Sequence, residues 1–230
     1  MTASISPLVS LGLLRRDAPK TVAGFRRFRS VIETDGALPA RIKQLFVACA
    51  ATTKGYEDMA LRELRAAREA GLTQEEAGAA VAILSSVRGE GAALRFHGIC
   101  ATVFPAIEAE SSPCEDDITI APGDAEANFL HYFGTMPPSL GKLLDLVPDA
   151  ADAYYLMREG TLSGTALGPT NAELLLVTVL AADYSTWASV HMNGARKAGA
   201  SEEAVAEAVI CAVPTSGLSA WVVGATSMDA

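Results

Sequence analysis

The chain has 230 residues, half of them hydrophobic, and a formal net charge of −9 at pH 7. That is enough apolar content to bury a substantial core, either as two modest domains or as one fused pseudo-symmetric one. The acidic balance argues against a nucleic-acid partner, because neutralising phosphates needs clustered Lys and Arg.

In chain order, the stretch from Met1 to Leu14 has no basic region ahead of its apolar residues and runs straight into Arg15 and Arg16. It does not read as a secretory signal, so a cytoplasmic protein is expected. The short basic cluster Arg26, Arg27, Arg29 reads as a solvated helix face. Ala, Leu, Glu and Arg dominate segments such as Met59 to Ala70, and β-branched alternation is nowhere sustained, so the chain is expected to be all-α. Gly71 falls where a helix should end in a left-handed cap. Thr73 followed by Glu76 forms a capping box opening the next helix, and Gly89 marks another break.

A polar segment from Glu110 to Glu126, rich in Ser, Pro, Asp and Glu, reads as a linker. After it come Phe129-Leu130-His131-Tyr132-Phe133 and Met136-Pro137-Pro138, read as an aromatic loop that would place His131 over the pocket of a neighbouring subunit. His97, on an apolar helix, reads as a core or interface residue. Asp183 and Ser185 are candidate N-caps for a turn between a helix ending near Ala182 and another beginning near Ser185. Gly199 is again a C-cap, and Ser201 with Glu202 and Glu203 opens the following helix. The uncharged run from Ala208 to Met228 is broken by Pro214-Thr215-Ser216-Gly217, so it reads as helix, turn, helix and not as a membrane span.

The chain also repeats itself. Shifting residues 56–92 by 128 pairs Tyr56 with Tyr184, Arg68 with Arg196, Gly71 with Gly199 and Gly89 with Gly217. A shift of 129 aligns the preceding stretch, pairing Pro19 with Pro148, Arg29 with Arg158 and Leu45 with Leu174. In this register Glu173 meets Gln44 and His191 meets Glu63. A tandem duplication that kept its scaffold twice and an acid/base pair once explains the pattern. The expected organisation is a first repeat over 1–110 with a degenerate site, a linker over 111–126, and a second repeat over 127–230 holding the candidate site.

Tyr184, Trp187 and His191 stand at i, i+3 and i+7, one stripe of a helix able to line a pocket wall. On one unbroken helix Glu173 would lie roughly 27 Å from His191 at about 1.5 Å per residue, so the two cooperate only if the chain turns between them. Cys49, Cys100, Cys114 and Cys211 are scattered, without a CxxC pair or zinc-ligand spacing, and read as reduced thiols; neither a metal nor a cofactor is expected.

The string from Asn171-Ala172-Glu173-Leu174 through His191 and Ala195-Arg196-Lys197-Ala198-Gly199-Ala200 to Glu203 resembles the carboxymuconolactone decarboxylase and alkylhydroperoxidase D superfamily, as does the tail Val213-Pro214-Thr215-Ser216-Gly217. The likeness extends over residues 15–100 and 135–226. It implies an all-helical bundle in a homo-oligomer, with a trimer the natural guess, and an active site flanked by Glu173 and His191. Peroxidase members carry CxxC where this chain has Tyr184 and Trp187, so that chemistry has no thiolate here. The resemblance therefore points to a cofactor-free lyase or isomerase acting on a small carboxylated or lactone/keto metabolite. His191, Glu173 and Tyr184 would be catalytic, and Trp187, His131 and Arg196, or Arg158, would bind substrate. The competing readings are a non-catalytic ligand-binding or assembly protein and, third, a peroxidase using Cys211 or Cys49.

Overall fold

A computed structural model of the chain describes residues 5–104 and 118–229. Cys114 and the first part of the expected linker lie outside the described residues. Among the described residues there are helices and no strands. A 3₁₀ turn, Pro7–Ser10, precedes α1 (Gly12–Asp17), α2 (Pro19–Glu33), α3 (Ala40–Thr53), α4 (Glu57–Glu69), α5 (Gln74–Arg88) and α6 (Glu90–Val103). Two helices, α7 (Asp124–Phe133) and α8 (Pro138–Leu146), lead into α9 (Pro148–Leu162), α10 (Gly168–Ala182), α11 (Ala188–Lys197), α12 (Glu202–Ile210), the single turn α13 (Val213–Ser216) and α14 (Leu218–Met228). None of these helices is long and apolar enough to cross a membrane.

The helices start and stop where local chemistry requires. Thr73 accepts from Glu76 N while the Glu76 carboxylate accepts from Thr73 N, the expected capping box. Ser201 caps α12 through Ala204 N. Gly71 and Gly199 both sit at φ +95, just past the last turns of α4 and α11, a conformation that a Cβ disfavours.

The two central helices, α3 and α10, are buried on every face, with continuous buried runs from Ile42 to Thr52 and from Ala172 to Ala182. Such helices belong in the middle of a core. They pack on each other, and a single apolar cluster runs from Ile32 and Leu45 through Leu174 and Val205 to Ala220. Polar ties cross it. The buried Lys43 ammonium reaches Glu207 at 2.9 Å, and Glu207 also accepts from the backbone N–H groups of Ala37 and Leu38. Asp183, just past α10, pairs with Lys54 at 2.7 Å and with Arg88. A smaller cluster, Ala125, Phe129, Leu140 and Ala151, seats α7 and α8 on α9.

The turn between α10 and α11 corrects the register read from sequence. Gly55 N bonds Thr52 O and Tyr56 N bonds Ala51 O, while Tyr184 N bonds Ala181 O and Ser185 N bonds Leu180 O. By hydrogen bonding Tyr184 therefore matches Gly55, not Tyr56. Both have positive φ, +75 at Gly55 and +57 at Tyr184, the latter uncommon for a residue with a large side chain. The one-residue difference falls later, where α11 begins at Ala188 instead of near Ser185.

Candidate active site

Glu173 lies inside the buried helix α10 and is only 4% exposed. A carboxylate there must be satisfied by donors. One oxygen, Oε1, accepts from the Tyr132 hydroxyl at 2.8 Å, and the other, Oε2, lies 2.7 Å from His191 Nδ1. The turn after Ala182 folds α11 back along α10, which closes the separation of 18 residues to hydrogen-bond distance. With Glu173 ionised, Nδ1 is the nitrogen that carries the proton, and Nε2 has no hydrogen-bond partner among the described residues.

Gly194 makes this approach possible. A Cβ on Gly194 would stand 2.5 Å from Glu173 Oε1 and 2.7 Å from the Tyr132 hydroxyl, inside van der Waals contact with both. Burial and the nearby Glu173 carboxylate push the Tyr132 phenol well above its ordinary pKa, so it stays a protonated donor.

His191 and Tyr132 line a cavity of about 280 Å³. Arg158 on α9 and Trp187 border it as well, as do Ser86, Val87 and Arg88 at the end of α5. Leu162, Leu176 and Leu180 make the lining largely apolar. Trp187 is 58% exposed at the first turn of α11, beside Tyr154 and Met157, which are also exposed at the mouth. Arg158 is 9% exposed, donates to Asn128 Oδ1 at 2.7 Å and lies with its guanidinium carbon 3.4 Å from the centre of the Tyr132 ring.

The expected site residues divide into two groups. Glu173, His191 and Trp187 meet at this cavity, and Arg158 joins them. Tyr184 does not. It sits in the left-handed turn ahead of α11, its hydroxyl donates to Ser216 O at 2.6 Å and its ring lies under the Lys54 ammonium. The helical stripe drawn through Tyr184, Trp187 and His191 fails because α11 starts only at Ala188. Arg196 is engaged elsewhere, with Asn193, the Glu202 carboxylate and Met228 O, tying α11 to α12 and α14.

His131 is exposed and does not line the cavity. The segment expected as a loop is helix α7, whose inward positions Ala125, Phe129 and Tyr132 follow helical spacing and turn His131 away. That periodicity was the signal that identifies Tyr132 from sequence.

At the matching place in the preceding helices the arrangement is closed. Arg29 on α2 pairs with Glu33 and Glu63 at 2.8 Å each, and the Arg29 and Glu63 side chains are 1% and 0% exposed. Gln44 on α3 is buried beside this region of the core with its Oε1 unpartnered.

The sequence profile of the Carboxymuconolactone decarboxylase family matches residues 148–227, the stretch from α9 to α14 that holds Arg158, Glu173 and His191. The match covers 80 of the 230 residues. A comparison with curated proteins gave no match.

Proposed function

We propose that the chain is a cofactor-free lyase or isomerase that acts on a small carboxylated or lactone/keto metabolite by acid–base catalysis at His191. The observation that carries this reading is the 2.7 Å contact between a buried Glu173 carboxylate and His191 Nδ1 on the wall of an open cavity. Glu173 fixes the tautomer and stabilises the imidazolium that forms when Nε2 takes a proton. In a decarboxylation the electron pair released with carbon dioxide enters a conjugated carbonyl, and Nε2, protonated from solvent, delivers that proton to the dienolate carbon. In an isomerisation the same nitrogen removes a proton from carbon and returns it at another position. Tyr132 and Gly194 keep Glu173 aimed at His191.

The chain organisation proposed with it is a duplication, with a repeat over 1–110 whose site is degenerate, a linker over 111–126 and a repeat over 127–230. Matching helix order, the paired turns at Gly71 and Gly199, and the Arg29 and Arg158 positions support it. A homo-oligomer, with a trimer as the first expectation, and a cytoplasmic setting complete the proposal. The thiol-peroxidase reading has less support: Cys49 and Cys211 are fully buried, and burial raises both thiols, which makes them poor nucleophiles.

The test is turnover of a panel of lactone acids and aromatic keto acids, followed by mass spectrometry, with wild type, His191→Ala and Glu173→Gln. Loss of about 10²- to 10⁴-fold in rate in His191→Ala, with the fold intact, is the expected result. Ligand binding that is equal in wild type and variant, with no turnover in either, would instead favour a binding protein on this scaffold.

A further inference from the structure

The geometry points to Arg158 as the recognition group for a single carboxylate on the ligand of this cavity, with an apolar ligand body directed toward Tyr154, Met157 and Trp187. The inference rests on the reading of the cavity as a substrate site and adds to it the ligand's charge and polarity.

The argument begins with a comparison of two arginines. Arg29 and Arg158 occupy the same position on two 15-residue helices that each begin with proline, α2 and α9. Arg29 is neutralised twice, by Glu33 four residues along its own helix and by Glu63 on α4. The residues at those two places around Arg158 are Leu162, four residues along, and His191 on α11. Arg158 thus keeps its burial while both carboxylates are replaced by groups that carry no negative charge. Among the described residues no Asp or Glu lies within ion-pair distance of it. Glu159, next in the chain, accepts from Asn128 and Ser163, and Glu173 has both oxygens occupied by Tyr132 and His191.

A buried guanidinium without a counter-charge is costly, and a cavity that borders it invites an anion. Two further features limit the ligand. Arg88, the other cation on the cavity wall, is already paired with Asp183, so one uncompensated positive charge faces the cavity from Arg158. The remaining lining is dominated by aliphatic and aromatic side chains, and the mouth is apolar. A monocarboxylate with an apolar body satisfies both conditions. A second carboxylate would find no free cation, and a neutral amide would leave Arg158 unpaired.

The experiment uses benzoate as probe, with benzamide as neutral isostere and isophthalate as dianion, and reads binding by calorimetry and thermal shift on the full chain. Wild type is expected to bind benzoate more tightly than either analogue. Arg158→Gln should weaken benzoate by about 10- to 100-fold, the range for losing a charge-assisted hydrogen bond. Leu162→Glu should do the same with the arginine still present, because it rebuilds the pairing that Glu33 makes with Arg29. Leu162→Gln, of equal size and no charge, should retain binding.

Benzoate affinity unchanged in both Arg158→Gln and Leu162→Glu, each with wild-type circular dichroism, overturns the proposal, as does tighter binding of benzamide than benzoate by wild type. His191→Ala keeps the two readings apart. It should abolish turnover and spare benzoate, and a wild type that binds benzoate but turns nothing over would sink the catalytic reading alone.

Discussion

Arg29→Met tests whether the two arginines stand in the different electrostatic states described above. The Arg29 and Glu63 side chains are 1% and 0% exposed, so their attraction is little screened by water. Removing the guanidinium leaves Glu63 with Arg62 alone, at 3.3 Å, and leaves Glu33, whose side chain is 16% exposed, without its buried donor. Breaking a buried pair by deleting one partner costs about 3–5 kcal/mol. For a chain of this size each kcal/mol lowers Tm by roughly 2–4 °C, so a fall of roughly 6–20 °C is expected.

Arg158→Met is the matched control. It removes a buried cation that has no carboxylate partner, and the relief of desolvation offsets the lost stacking on Tyr132 and the hydrogen bond to Asn128, giving a change within about 1 kcal/mol. The double variant Arg29→Met/Glu63→Leu should recover most of the loss, since apolar packing commonly replaces a buried pair without penalty. Calorimetry and urea titration measure all three. An Arg29→Met protein within about 2 °C of wild type, or equal losses for both arginines, would refute the contrast.

Gly194→Ala should cost about 1–3 kcal/mol, because its Cβ would displace the buried Glu173 carboxylate and the Tyr132 hydroxyl from their hydrogen bonds. It should also release the His191 tautomer, visible in the ¹⁵N spectrum of the ring; an unaltered imidazole spectrum would count against the geometry. The thiols of Cys49, Cys100 and Cys211 are pushed up by burial, Cys100 to about 12 from an ordinary value of 9.0. Above pH 9 or so the unfolded chain loses thiol protons that the native state retains, so stability should be complete below that pH and fall as it rises toward 12. Urea midpoints at pH 7 and 10.5 check the sign, and a rising midpoint would contradict it. Site-resolved labelling at pH 8 should leave these three thiols unmodified in the native protein.

Local signals in the sequence carried the helical content and most helix ends. The capping box at Thr73, the glycines at 71 and 199 and the break at Gly217 are each decided by a few neighbouring atoms, and each stands where expected. The site was less legible, because its geometry depends on how helices turn and pack. Glu173 and His191 could be paired in the sequence only on the condition of a turn between them, and that turn has Tyr184 in a left-handed conformation, a choice that no propensity of tyrosine announces.

The other misses share one cause. Arg196 was offered as a substrate-binding group, but Glu202, six residues away, and Met228 O hold it once α12 and α14 pack. Its counterpart Arg68, which bonds the backbone of Val103 at the end of α6, has the same fastening role. His131 was placed on a loop, whereas the segment is a helix whose spacing turns Tyr132 inward and leaves His131 exposed.

The segment that matches the family contains Arg158, Glu173 and His191 but not the whole site. Tyr132, which holds the second Glu173 oxygen and stacks on Arg158, comes from α7, ahead of the match. Ser86, Val87 and Arg88, which also line the cavity, come from α5. Arg88 is held by Asp183, directly after the helix that carries Glu173, so the wall and the acid are positioned by one ion pair. The helices ahead of the matched segment thus complete the cavity that borders Glu173 and His191. On the duplication proposed above, two exchanges separate the states: Glu33 and Glu63 neutralise Arg29, whereas Leu162 and His191 stand at those places around Arg158, with the histidine turned to Glu173.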